Sequence, residues 1–105
     1  MPTHNKLVRD KIPEIIEKAG KTAHTHILTE EEYLSELDKK LGEEFAEYQA
    51  EKSLEELADM LEVMYAIAEA RGHSVAELED VRREKAEKRG AFKDRIFLER
   101  VDDND

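Results

Sequence analysis

Cysteine is absent from the 105 residues. Disulfides and thiolate metal sites are therefore excluded. No apolar run approaches the length needed to cross a bilayer. The opening MPTHNKLVRDK has no apolar signal core, so a cytoplasmic protein is expected. An excess of basic residues is also missing: 17 Lys and Arg stand against 27 Asp and Glu. A nucleic-acid-binding face would need the opposite balance. The four histidines, His4, His24, His26 and His73, show no metal-ligand spacing. Repeats and linkers are lacking too, and the length suits one domain spanning 1–105, with flexible ends expected at 1–5 and 102–105.

Charge is what the chain does have. Charged residues make up 42% of it, and the formal net charge is −10. The excess is confined to one segment. Residues 30–62 hold 13 acids and 3 lysines, and the other 72 residues balance at 14 of each sign. Such a composition is compatible with disorder. Regular apolar spacing in the same region argues for helices instead. A localised acidic excess is either a solvated face or a site for cations.

Helix boundaries are marked by side-chain chemistry. Asp10 is a candidate cap for a short helix with Pro13 in its first turn, Ile15, Ile16 and Ala19 on its apolar side, and Gly20 at its end. Thr22 to Leu28 is rich in β-branched residues and reads as a short strand or extended connector. Thr29-Glu30-Glu31-Glu32 fits a capping box that opens a long helix with Leu34, Leu37, Leu41, Phe45 and Tyr48 at helical spacing. Ser53-Leu54-Glu55-Glu56 is a second such box, opening a helix that ends near Gly72. From Met60 to Ala68 this helix is apolar almost all round, which suits the centre of a bundle. Ser74-Val75-Ala76-Glu77 is a third box, for a helix that stops near Gly90, and Ala91 to Val101 reads as a short extended end. The expected fold is all-α, an antiparallel helical bundle.

The few residues around Ala50 to Ser53 make the two central helices antiparallel neighbours. In such a hairpin, facing positions have a constant sum of residue numbers. Glu47 with Glu56 and Glu44 with Asp59 give the same sum. Within each helix the two acids are three apart and share a face. Four carboxylates then outline a rectangle about 5 Å tall and about 8–10 Å wide between backbones. Like charges that close raise one another's pKa and oppose packing. A divalent cation relieves this, and oxygen-only ligands favour Mg²⁺ or Mn²⁺ over Zn²⁺. Mg²⁺ keeps several waters and is often shared with substrate phosphates, so phosphate chemistry is suggested. Bland readings stand beside this one. Glu56 is explained equally by the capping box, and Glu43, Glu51, Glu55 and Glu62 by solvated helix faces. Against them, Glu44 falls on an apolar stripe where leucine is expected, and Asp59 lies well inside a helix although Asp is a poor helix former.

The EExxE of Glu43, Glu44 and Glu47, followed by the ExxD of Glu56 and Asp59, resembles the metal-binding signature of the MazG-like all-α nucleoside triphosphate pyrophosphohydrolases. That superfamily includes the phosphoribosyl-ATP pyrophosphohydrolases. The opening KLVRDKIPEII, the segment EEYLSELDKKLGEEFAEY and the ending KRGAFKDRIFL look like a small house-cleaning subgroup, so the resemblance covers nearly the whole chain. The gap of eight residues between Glu47 and Glu56 is shorter than in many such proteins, which departs from a MazG-like substrate loop. The resemblance implies Mg²⁺-dependent hydrolysis of a nucleoside triphosphate to the monophosphate and pyrophosphate. It implies metal-binding and catalytic roles for Glu44, Glu47, Glu56 and Asp59, with Glu43 as a further member of the metal motif.

A triphosphate also needs donors. Lys6, Arg9 and Lys11 form one basic group; Arg9 is able to grip phosphate bidentately. Lys88, Arg89 and Arg95 form another, with Phe92 as a stacking surface for a base. The alternative is that these bases pair with nearby acids such as Asp10 and Asp94. The apolar stretch from Met60 to Ala68 needs more cover than a short chain supplies, so a homodimer, or that dimer doubled into a tetramer, is expected to complete the core. Two other functions fit the same residues: phosphoribosyl-ATP hydrolysis, and a non-enzymatic helical interaction module whose acids are a solvated surface.

Overall fold

The computed structural model describes residues 4–103. The expectation of flexible ends falls largely outside them, at 1–3 and 104–105. The protein is all-helical, with no strand among the described residues. The helices are α1 (Ile12–Lys18), α2 (Glu30–Glu51), α3 (Leu54–Ala70) and α4 (Val75–Arg89). Among the described residues no helix is long and apolar enough to cross a membrane.

Local chemistry sets the boundaries. At α2 the Thr29 hydroxyl accepts from the Glu32 amide and the Glu32 carboxylate accepts from the Thr29 amide, a complete reciprocal box. Ser74 and Glu77 do the same for α4. At α1 the expected cap is corrected. Lys11, not Asp10, holds the cap position, with no side-chain hydrogen bond, and proline in the first turn sets the start instead. Gly20 follows α1 with φ +85°, a conformation that costs glycine little. Residues 22–28 form an irregular connector rather than a strand, because no neighbouring strand offers a ladder.

The dominant packing is α2 against α3, and α4 packs less extensively on α3. Only Lys52 and Ser53 separate α2 from α3. Lys52 takes the left-handed conformation (φ 56°) and its amide bonds the Tyr48 carbonyl, which turns the chain back at once. Arg71, just after α3, reaches Asp38, two turns into α2, at 3.8 Å, which ties the end of α3 to the first half of α2.

The hairpin does not close a core by itself. Among the described residues only Leu37 (3% exposed) and Glu44 (7%) are buried. The radius of gyration is 18.9 Å over extents of 69 × 32 × 21 Å. A compact chain of about 100 residues has a radius near 13 Å. Leu54, Leu57, Leu61 and Met64 follow helical spacing along α3 and remain exposed, as do Phe45 on α2 and Val81 on α4. Beyond α4, Phe92, Ile96, Phe97, Leu98 and Val101 are exposed on an irregular segment.

Candidate metal centre

The α2–α3 register carries the candidate site. Glu44, Glu47, Glu56 and Asp59 each turn one carboxylate oxygen to a common point, and these four oxygens lie within 4.8 Å of one another. The backbone rectangle inferred from residue spacing thus narrows as side chains reach inward. A hollow of about 570 Å³ adjoins them, lined by Glu47, Ala50, Glu51, Ser53, Glu55 and Glu56. The group therefore opens to solvent at the turn end of the hairpin.

Burial and satisfaction differ among the four acids. Glu44 is the most buried, and its Oε1 lies 3.4 Å from the Lys40 ammonium. Its Oε2 is buried without a hydrogen-bond partner. Glu56 Oε2 is in the same condition. Unpaired buried carboxylate oxygens are costly, and native structures contain few. Both acids are pushed above the usual glutamate range. For Glu44, burial is the main cause, opposed by the Lys40 hydrogen bond and reinforced by Glu47 and Asp59. For Glu56, burial again leads, followed by repulsion from Glu47, Asp59 and Glu44.

The capping explanation of Glu56 is tested directly by the second box. The Glu56 amide donates to the Ser53 hydroxyl at 3.3 Å. The Glu56 carboxylate does not return to the Ser53 amide; it joins the acid cluster instead. In the two complete boxes the third-position glutamates move the other way. Glu32 is lowered chiefly by the Thr29 backbone hydrogen bond, and Glu77 chiefly by that of Ser74, assisted by His73.

Two cations border the cluster. Arg9 Nη2 donates to Asp59 Oδ1 at 2.7 Å across 50 positions of sequence. Lys40 sits between Glu44 and the exposed Glu43, at 3.4 and 3.6 Å. Glu43 thus lies against the lysine, outside the four converging oxygens. Lys40 was missed from sequence, although its spacing of four from Glu44 is a helical contact once α2 is assigned. The pairing of Arg9 had no sequence signal, because it depends on how the N-terminal segment lies on α3.

Other expected residues fall elsewhere. Lys6 and Lys11 are exposed near Arg9 in sequence, Lys11 as the α1 cap. Arg89 and Arg95 line a second hollow of about 340 Å³ that shares no residue with the first. Phe92 is 96% exposed. The structure therefore gathers the acids and Arg9, and leaves the C-terminal group in a separate place on this chain.

The acid cluster fits a hard divalent cation on two grounds: an oxygen-only donor set and two buried oxygens that lack a partner. Comparison with known proteins adds little chemistry. No protein-family model matches the chain, and no solved structure does. An uncharacterized protein of Mycolicibacterium smegmatis is 49% identical over 45 residues, 43% of this chain and 46% of that protein's length. The match thus spans about half of that relative.

Proposed function

We propose that this protein is a divalent-cation-dependent nucleoside triphosphate pyrophosphohydrolase with a house-cleaning role, cleaving a non-canonical nucleotide to the monophosphate and pyrophosphate. The observation that carries the reading is the convergence of Glu44, Glu47, Glu56 and Asp59 with two buried, unpartnered oxygens among them. The near full-length resemblance of the sequence to the MazG-like enzymes supports the same assignment.

In this reading the four carboxylates hold Mg²⁺, which Mn²⁺ can replace. When bound there, such an ion would supply positive charge against the triphosphate and a more acidic water. The chain's own part is to fix the carboxylates, to bind phosphate and to take up a proton. A carboxylate of the cluster accepts the proton of the attacking water. Arg9, with Lys6 and Lys11 beside it in sequence, supplies donors to phosphate oxygens that do not compete for the ion. Arg89, Arg95 and Phe92 bind the remainder of a nucleotide only if the assembled protein brings them to an acid cluster. A homodimer, or a tetramer built from it, covers the exposed stripe of α3 and completes a bundle. Sedimentation at micromolar concentration tests this assembly; a monodisperse monomer contradicts it.

The decisive experiment is a pyrophosphate-release screen with Mg²⁺ and Mn²⁺ over canonical, deoxy, oxidised and deaminated nucleotides, together with phosphoribosyl-ATP. Release from at least one nucleotide is expected, with Glu47→Gln and Asp59→Asn inactive. Activity on phosphoribosyl-ATP alone moves the enzyme to the histidine-synthesis reaction. Silence across the panel, with no thermal shift in either ion, favours a helical interaction module.

A further inference from the structure

The ion pair between Arg9 and Asp59 has properties that the acid cluster alone does not explain. It joins the two at 2.7 Å, and both remain reachable by water, with side chains 56% and 38% exposed. Among the described residues it is the one hydrogen bond or ion pair linking residues 4–21 to α2, α3 or α4. Helix α1 makes no packing contact with another helix. The polar tether of the N-terminal segment therefore ends on one of the four converging acids. Lys40 is a different kind of neighbour. It is carried on the same helix as Glu44, and its side chain is only 18% exposed, so it is fixed in place.

We infer that Arg9 is an internal stand-in cation: it holds Asp59 while the cluster is free of metal, and a divalent cation displaces it and releases the N-terminal segment. This rests on the reading of the four carboxylates as a cation site. The physical argument is exchange of like for like. A divalent cation held by the Asp59 carboxylate repels a guanidinium beside it and draws off the charge that holds the pair together. An exposed arginine–carboxylate pair is weak enough to be exchanged. Once free, the guanidinium is available to a polyphosphate that presents paired oxygens beside the bound ion. Arg9 is thus a positioning residue that reports whether the site is loaded. Ordered binding results, with the cation first and the phosphate grip second.

The test is Mn²⁺ binding to the full chain, followed by the paramagnetic signal of free Mn²⁺, with no nucleotide present. Arg9→Gln is expected to bind Mn²⁺ about two- to fivefold more tightly than wild type, the range set by an exposed ion pair. Arg9→Lys falls between them, and Lys11→Gln changes affinity less than Arg9→Gln. Amide exchange over residues 6–20 should quicken when Mn²⁺ is added to wild type, and should be fast in Arg9→Gln with or without the ion. Wild type that binds Mn²⁺ while Arg9→Gln binds it equally or more weakly overturns the inference and leaves the cation site standing. Failure of every protein to bind Mn²⁺ overturns both.

Discussion

Three helices begin with a hydroxyl residue and a glutamate three positions later, and they do not use the pair alike. At Thr29–Glu32 and Ser74–Glu77 both halves of the box close. At Ser53–Glu56 the hydroxyl caps, and the carboxylate leaves for the acid cluster. The outer two glutamates gain backbone hydrogen bonds and are held below the usual range. The middle one gives up that bond, and burial and like charge push it above. One local pattern thus serves two ends, and tertiary surroundings choose between them. A side chain that forgoes an available local hydrogen bond for a crowded acidic site is a sign of function rather than of helix formation.

The largest expected effect sharpens this contrast through activity. Glu56→Gln should lower cation-dependent pyrophosphate release by about 100-fold or more. Glu32→Gln and Glu77→Gln should stay within about twofold of wild type in the same assay. Equal losses at all three glutamates would erase the distinction.

Stability gives the next effect. Glu44→Leu removes a buried carboxylate with an unpartnered oxygen from an apolar stripe. Metal-free denaturant unfolding near pH 7 should show a gain of about 1–3 kcal/mol. Wild type should then be stabilised further by Mg²⁺ or Mn²⁺ and Glu44→Leu should not. Smaller again are the caps: Thr29→Ala and Ser74→Ala should each cost about 1 kcal/mol, and Ser53→Ala about half that, since it anchors only half a box.

The pH dependence separates the boxes by sign. A glutamate raised in the folded state opposes folding above its folded pKa. That penalty shrinks as pH falls and is gone below the ordinary value of 4.5. Glu56→Gln should therefore raise the melting temperature at pH 7, with a gain that fades toward pH 4.5. A glutamate lowered in the folded state stabilises above 4.5, and the benefit is lost as pH falls through the lower folded value. Glu77→Ala should therefore lower the melting temperature at pH 7 and change it little in stronger acid. Melting curves of both variants across pH 3–7 check this; slopes of the same sign would break the comparison.

Much of the fold was legible in the sequence because it is local or periodic. The helix starts at Thr29, Ser53 and Ser74 come from hydroxyl–glutamate spacing. The convergence of Glu44, Glu47, Glu56 and Asp59 comes from helical spacing plus a short turn. Asp10 misled because proline and backbone geometry suffice to start α1, so a side-chain cap was not needed. For residues 22–28 the structure takes the connector rather than the strand, because β-branched composition makes a strand only beside another strand. The Arg9–Asp59 pair was hidden because a contact across 50 residues depends on the lie of an irregular segment, for which no periodicity exists. The all-round apolar stretch of α3 was visible, yet its cover within one chain is partial, since α4 packs on α3 far less than α2 does and Leu61 and Met64 stay exposed.

The two-residue link of Lys52 and Ser53 is a ruler. Each residue added to a helix rotates the remainder of that helix by about 100°. A single insertion that extended α3 at its start would swing Glu56 and Asp59 off the line of Glu44 and Glu47 while leaving every helix free to form. Lineages of this protein should therefore vary freely in the length of the connector before Thr29 and resist insertion or deletion at 52–53, where the phase of one helix against another is kept.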